Sequence, residues 1–294
     1  WFNDKTIVTL SLISFFSLFF FVWRQLTYKY PIVNLKVLKD TNLRVGTILS
    51  FIMGFGLYGS TFIIPIYTQS ILGWTATDAG LLLIPSSLMT AFMMPIIGQL
   101  LQKGVPQKYL VAIGFLMFFF FTFWMYNVMT PDTGEEYMYW PLIIRGLGLG
   151  LLFVPITTLS LSTLKGKSIG EGAAFTGMMR QLGGSFGIAI ITTFIARFSQ
   201  EHRVNLIANI DATKTQVQDR ITQLQHGFMA KGFSSNEALA KAHKIIDFSV
   251  NKQSTVLSYM DIFLYLGILF LVCIPIILLI KNNKNKVDIS EAMH

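Results

Sequence analysis

Seven long apolar runs constrain this chain more than any other feature of its sequence. Each has about 20 residues or more, the length that an α-helix needs to cross the hydrocarbon core of a bilayer. The runs are Ile7–Leu26, Gly46–Gln69, Ala76–Leu101, Leu110–Val128, Trp140–Leu164, Gly170–Ala196 and Val256–Ile280. Because 53% of the 294 residues are hydrophobic and only 13% are charged, an ordinary soluble domain is excluded. The sequence therefore predicts an all-α membrane protein with seven transmembrane helices.

Basic residues between the runs predict how these helices are oriented. Lys and Arg occur in the connection after the first run, near residue 105, near residue 166 and in the tail after residue 280. These four regions fall on one side under a seven-span count, so the positive-inside rule makes that side cytoplasmic. We therefore expect the N-terminus outside and the C-terminus in the cytoplasm. The net charge of +8 does not indicate nucleic-acid binding, because the basic residues lie mostly in these connections.

Few residues could support enzymatic or metal chemistry. The single cysteine, Cys273, lies inside an apolar run, and the four histidines lie in a loop or the tail, without metal-ligand spacing. Gly146, Gly148 and Gly150 mimic a dinucleotide-binding motif only loosely, since no strand precedes them. We predict no enzyme activity, no catalytic residue, no metal and no cofactor. Because the chain opens with Trp1 and has no signal peptide, we expect it to be a piece of a longer protein.

The sixth run, Gly170–Ala196, divides into three helical faces. The first face consists of small residues with one cation, Arg180, among them: Ala173, Gly177, Gly184 and Gly187. Small residues allow a neighbouring helix to approach until its carbonyls can reach the Arg180 guanidinium, which is costly to expose to lipid. The second face is mildly polar and consists of Met178, Gln181, Ser185 and Thr192, whereas the third is apolar and suits lipid. Such a helix could form the wall of a solute pathway, or Arg180 could be a buried structural residue.

Three other runs carry distinctive residues. In the fifth, Gly146 and Gly150 form a GxxxG pair that predicts close helix packing, and Pro155 follows. Arg145 lies near the outer end, where its side chain could snorkel to water. The fourth run, rich in phenylalanine, is predicted to be peripheral and lipid-facing. Prolines in the second and third runs predict kinks beside a cavity, or simple curvature.

The only long hydrophilic segment, residues 198–255, precedes the last run. Val217, Ile221, Leu224 and Phe228 form a narrow apolar seam at helical spacing. Ser234 and Glu237 resemble a capping box that starts a second helix after Gly232. We predict an external helical hairpin that acts either as a lid or as a partner-docking surface.

Several motifs, in this order, resemble a known family. They are Pro31-Ile32-Val33-Asn34-Leu35, then Pro65, Tyr67, Gln69, Gly73, Thr75, Ala76, Ala79 and Gly80, Pro95-Ile96-Ile97-Gly98, Arg145-Gly146-Leu147-Gly148 with Pro155, and Arg180-Gln181-Leu182-Gly183-Gly184-Ser185-Phe186-Gly187. The chain resembles the C-terminal half of the fourteen-helix drug:proton antiporters of the major facilitator superfamily. Within that family it resembles the EmrB/QacA-like multidrug export permeases. The long outer segment before the last span looks most like the EmrB type, the inner-membrane permease of a tripartite multidrug exporter.

This resemblance implies a domain organisation. Residues 1–43 would be one extra central helix and a basic cytoplasmic linker, and 44–280 the C-terminal six-helix bundle. The bundle would contain the extracytoplasmic helical loop 198–255, and 281–294 would be a basic cytoplasmic tail. By the inverted-repeat architecture of the family, the second, third, fifth and sixth spans would line the central cavity, with the fourth and last outside. The expected location is a bacterial inner membrane.

The implied function is export of amphipathic or cationic drugs by proton antiport, through alternating access. We predict that the substrate cavity includes Tyr58, Tyr67, Thr157, Met178, Gln181 and Ser185. We assign structural or gating roles to Arg145, Gly146, Gly150, Pro155, Arg180, Gly184 and Gly187. No Asp or Glu lies in the middle of a span, so we expect the proton-coupling acids in the missing N-terminal half. Expected partners are the lipid bilayer, that half, amphipathic drugs, a periplasmic adaptor and an outer-membrane channel. The alternative is a non-transporting membrane scaffold whose outer hairpin binds a partner.

Overall fold

The structure is a computed structural model that describes residues 5–28, 38–210 and 215–278, and these ranges contain α-helices and no strand. The α-helices are α1 (Lys5–Thr27), α2 (Thr41–Ser70), α3 (Ala76–Leu81), α4 (Ile84–Gln102), α5 (Gln107–Val128), α6 (Glu136–Leu161), α7 (Lys167–Asn209), α8 (Thr215–Met229) and α9 (Ser235–Leu278). The predicted all-α class is confirmed. The predicted basic tail, 281–294, and part of the predicted linker lie outside the described residues.

Within the described residues, seven helical segments are long and apolar enough to cross a membrane, in agreement with the predicted spans. The third consists of α3 and α4 together, with a short break at Leu82–Leu83. Pro85 stands in the first turn of α4, where its missing N–H and fixed φ are tolerated. A proline in the middle of a continuous helix would instead clash with the preceding turn, so the chain restarts the helix here.

The core lies between α2, α5, α6 and α9, with α7 packed along α2 and α4 packed along α6. Glycines set the closest approaches. A β-carbon on Gly146 would lie 2.9 Å from the β-carbon of Met89 in α4, and one on Gly150 would lie 2.5 Å from that of Met93. The close packing predicted for this pair is therefore confirmed. In contrast, the apolar side chains of α1 are exposed along its length.

The phenylalanine-rich helix α5 is only partly lipid-facing. Phe120 and Phe123 are exposed as predicted, but Phe115, Phe118 and Phe121 are fully buried. Their rings contact Phe263 and Phe270 of α9; the Phe118 and Phe270 ring centroids lie 4.4 Å apart. One face of α5 therefore belongs to the core. The prediction was wrong for that face because composition does not distinguish an aromatic surface facing lipid from one packed against another helix.

Helices α7 and α9 extend well beyond a bilayer. With 43 and 44 residues, each is about 65 Å long, roughly twice the thickness of the hydrocarbon core. The two helices are joined by a hydrogen bond between His202 Nε2 and Asp261 Oδ2, 2.6 Å apart, and by an ion pair in which Arg203 Nη2 lies 2.8 Å from Asp247 Oδ1. The second helix of the predicted hairpin is thus the beginning of α9 rather than a separate helix.

Helix α8 packs on this protruding part of α9. The predicted capping box is present, since the Ser234 hydroxyl donates to Glu237 Oε2 at 2.7 Å and accepts from the Glu237 N–H at 3.4 Å. The apolar seam of α8 is half-buried, with Val217 and Ile221 beside Ile246 and Val250 of α9. Helix α9 therefore covers most of the stripe, as an amphipathic helix of this length requires.

Candidate functional site: a polar cavity beside a buried arginine

Arg145 of α6 is the most deeply buried cation in the described part of the chain, with 4% of its surface exposed. Its Nε donates to Ser60 Oγ at 2.9 Å, its Nη1 to Ser86 Oγ at 3.0 Å, and its Nη2 to the Leu57 carbonyl at 3.4 Å. A further bond from Nη2 reaches the Thr61 hydroxyl. The side chain therefore does not snorkel to water. It connects α6 to α2 and α4.

The glycine that follows Arg145 makes these contacts possible. A β-carbon on Gly146 would lie 3.0 Å from the carbonyl carbon of Ser86, so α4 and α6 touch through their backbones. Thr90 strengthens the contact, because its hydroxyl donates to the Gly146 carbonyl at 3.0 Å and the Ser86 carbonyl at 2.9 Å. Small and hydroxyl-bearing residues are the usual means by which membrane helices approach closely.

A cavity of about 230 Å³ opens beside the guanidinium. Its polar lining consists of Thr61 from α2, Ser86, Ser87 and Thr90 from α4, and Arg145 from α6. Its apolar lining consists of Leu57, Leu83, Leu149 and Phe153. A cation and four hydroxyls surrounded by apolar side chains can orient a polar group of a ligand while apolar surface holds the rest of it.

Arg180 occupies a different environment from the one predicted. It is half-exposed, and its guanidinium carbon lies 4.3 Å from the centre of the Phe153 ring, a cation–π contact. Among the described residues no carbonyl accepts a hydrogen bond from this guanidinium. The close approach predicted for this stripe does occur further along, because Gly184 packs on Tyr58 and Gly187 packs on Phe55 of α2. Phe153 thus stands between the buried Arg145 cavity and the half-exposed Arg180.

Most of the residues predicted to line the substrate cavity lie on or near the exposed surface of α7. Gln181 and Ser185 are exposed, and Met178 is half-buried one turn away. Tyr58 is half-buried against Gly184, and Thr157 is half-buried with its hydroxyl donating to the Phe153 carbonyl of its own helix at 2.8 Å. These residues remain cavity candidates. Pro155, by contrast, is buried inside α6.

Tyr67 differs from the prediction. Its side chain is fully buried, and its hydroxyl donates to the Thr130 carbonyl at 2.6 Å and lies 3.0 Å from Thr133 Oγ1. Its ring makes an edge contact with Tyr259 of α9. Tyr67 therefore anchors the loop between α5 and α6, with its ring packed on α9 and its hydroxyl bonded to the loop.

The hydroxyls around Arg145 were missed by the sequence reasoning. Ser60 and Thr61 were overlooked beside the glycines of the second run, and Ser86, Ser87 and Thr90 recur within one helical turn of the apolar third run. That recurrence is a usable signal, since hydroxyls in a membrane helix seek partners on neighbouring helices. No group of three or more His, Cys, Asp or Glu side chains suited to a metal occurs in the described ranges.

Together, the apolar helices and the polar cavity between them define a polytopic membrane protein with a polar cavity among its spans. Residues 6–188 match the family model of the Major Facilitator Superfamily, and the chain belongs to that superfamily. Members of this superfamily are membrane transporters rather than enzymes.

Several curated proteins can be aligned with most of this chain, and three of them are described here. The fatty acid resistance protein FarB of Neisseria gonorrhoeae is 31% identical over 283 residues, covering 96% of this chain and 54% of that protein. The multidrug export protein EmrB of Escherichia coli is 27% identical over 225 residues, covering 76% of this chain and 44% of that protein. The colistin resistance protein EmrB of Acinetobacter baumannii is 23% identical over 253 residues, covering 86% and 48%. The chain spans about half the length of these relatives.

Proposed function

We propose that this chain is the C-terminal half of a secondary transporter that exports amphipathic compounds by proton antiport. The observation that carries the proposal is the cavity beside Arg145, which places a cation and hydroxyls within membrane-spanning helices. Charged residues at this depth usually mark a substrate or ion pathway. The names of the relatives, for multidrug export and for fatty acid resistance, are consistent with amphipathic compounds.

A second half completes the transporter in this proposal. The exposed apolar side chains of α4 and α7 include Leu88, Phe92 and Phe186, each more than half exposed. They are apolar surface that a second half would cover, and the relatives have about twice the length matched here. Alternating access would then move one half against the other about a site between them.

The proton gradient, rather than a cofactor, supplies the energy in this proposal. Asp78, Glu171 and Asp261 lie near the ends of the apolar runs predicted from the sequence rather than in their middle. A proton-coupling acid needs a buried setting that holds its proton near physiological pH. We therefore assign that acid to the N-terminal half.

The proposed location is a bacterial inner membrane, with the basic loops and the C-terminus in the cytoplasm. Lys252 of α9 lies 3.6 Å from Asp132 in the loop after α5, which places the protruding helices and this loop on the same side. On the opposite side, Asp40 before α2 accepts from the Thr163 hydroxyl after α6 at 2.7 Å. Both contacts agree with the side assignment that the positive-inside rule predicts.

The protruding unit of α7, α8 and α9 is the proposed contact for a periplasmic adaptor, which would connect the transporter to an outer-membrane channel. Val204 and Phe248 are each more than 60% exposed and provide apolar surface on this unit.

The function is tested by drug accumulation in bacteria that lack their own exporters. Cells that produce the intact transporter should accumulate less of a fluorescent amphipathic dye than control cells. A protonophore should abolish the difference, because the proposed export uses the proton gradient. Equal accumulation with and without the transporter, at normal protein abundance, would favour the membrane scaffold instead.

A further inference from the structure

The charge around the cavity is unbalanced. Arg145 has no ion pair among the described residues, and its four hydrogen bonds go to neutral oxygens. Arg180, on the other side of Phe153, also has no carboxylate partner in the described ranges. A buried cation without a counter-charge is unfavourable, because its desolvation is not offset by an opposite charge. The cavity therefore attracts an anion and repels a second cation.

Two hydrogen-bond donors next to the cavity are unused. A guanidinium has five N–H groups. Four of them form the bonds given above, which leaves one on Nη1 without an acceptor among the described residues. The Ser86 hydroxyl accepts from Nη1, but no described group accepts its own proton. The other hydroxyls of the lining, those of Thr61, Ser87 and Thr90, donate to backbone carbonyls.

These two donors suit a carboxylate. They belong to atoms 3.0 Å apart, and a carboxylate presents two acceptor oxygens in a fixed geometry. At about 230 Å³ the cavity is smaller than the range of about 300–1,000 Å³ that accommodates whole drug-sized ligands. It therefore has room for a head group and the first part of a tail. Leu83, Leu149 and Phe153 offer apolar contacts to that tail.

We propose that the cavity between α2, α4 and α6 binds the ionised carboxylate of a single-chain amphiphile, held by Arg145 Nη1 and the Ser86 hydroxyl. This inference rests on the proposed function, because it identifies the head group that the transporter selects. It assigns the site to anionic rather than cationic compounds.

Equilibrium binding of radiolabelled dodecanoate tests this assignment. The intact transporter is placed in nanodiscs of phosphatidylcholine, whose head group has no net charge. Dodecanol and dodecylamine compete as probes with the same chain and a neutral or cationic head group. We expect dodecanoate to bind and neither analogue to displace it, since only the carboxylate can bond both donors as an anion.

Two matched pairs of variants locate the site. Ser86→Ala removes the unused hydroxyl donor and should weaken dodecanoate binding roughly tenfold, whereas Ser249→Ala, outside the cavity on α9 with its exposed hydroxyl bonded to the Ile245 carbonyl of its own helix, should leave it unchanged. Arg145→Gln should abolish the binding, and Arg180→Gln should retain it. Because Arg145→Gln could also unfold the protein, the comparison that includes Ser86→Ala decides whether the assignment is correct. The melting temperature of each variant is measured to show that it is folded.

Three results would overturn the assignment. One is equal displacement by dodecanol. Another is unchanged dodecanoate affinity in Ser86→Ala. The third is loss of dodecanoate binding when phosphatidylglycerol is added to the nanodiscs, which would make a lipid phosphate the occupant. The binding assay does not depend on export, so failure of the proposed function remains distinguishable. A transporter that exports dye but does not bind dodecanoate refutes only this inference.

Discussion

The contact between α2 and α7 allows a sharp test of the packing, through Gly183→Ala. A β-carbon on Gly183 would lie 2.8 Å from the carbonyl carbon of Phe51, 0.6 Å short of the 3.4 Å at which ordinary contact begins. Gly54 faces α7 in the same way, 2.8 Å from the carbonyl carbon of Arg180. Because the obstacle is backbone, no side chain can rotate away, and the two helices must separate.

Overpacking of this kind costs about 2–3 kcal/mol, towards the upper end of the usual range. Alanine recovers about 1 kcal/mol through its higher helix propensity. The net loss of about 1–2 kcal/mol corresponds to a fall in melting temperature of roughly 2–8 °C for a chain of this size. We expect this fall in the purified intact transporter in detergent, followed by tryptophan fluorescence, together with reduced dye export in cells.

Gly177→Ala is the matched control. Gly177 lies in the same helix with no atom of another residue near its missing side chain. Its replacement by alanine should leave the melting temperature unchanged or raise it slightly, because no contact is lost and alanine has the higher helix propensity. If Gly183→Ala melts within about 1 °C of Gly177→Ala, the α2–α7 contact is not as close as the structure shows, and the reasoning fails.

Three further outcomes are expected. Single cysteines at Lys103 and Glu135, in a Cys273→Ser background, should differ in intact cells: an impermeant thiol reagent should label the Glu135 site only, and the reverse pattern would overturn the orientation. Arg180→Lys should retain more dye export than Arg180→Ala, because Lys keeps a cation over the Phe153 ring; equal export by the two variants would contradict this role. Replacing residues 211–247 by a short Gly/Ser linker should abolish export in cells but not in vesicles that contain the transporter alone, as adaptor docking requires; loss in both would indicate a lid.

The positions of the spans could be predicted from the sequence alone. The hydrocarbon core requires a local property, about 20 consecutive apolar residues, and this property is visible in each run separately. The GxxxG pair Gly146 and Gly150 and the capping box of Ser234 and Glu237 are likewise short patterns with one physical cause each. The structure contains both at the predicted positions.

The environment of each side chain was decided only by the tertiary structure. Arg145 and Arg180 are both isolated cations in apolar runs, yet Arg145 is buried among hydroxyls from α2 and α4 whereas Arg180 lies over an aromatic ring. Tyr67 is likewise buried because a distant part of the chain, the loop that contains Thr130, packs against it and accepts its hydroxyl proton. The sequence of one helix does not show which of its faces other helices will cover. Burial of a side chain therefore depends on which helices from distant parts of the chain pack against that face. The cavity beside Arg145 is lined by Thr61, Ser86 and Arg145, which come from three different helices that only the tertiary structure brings together.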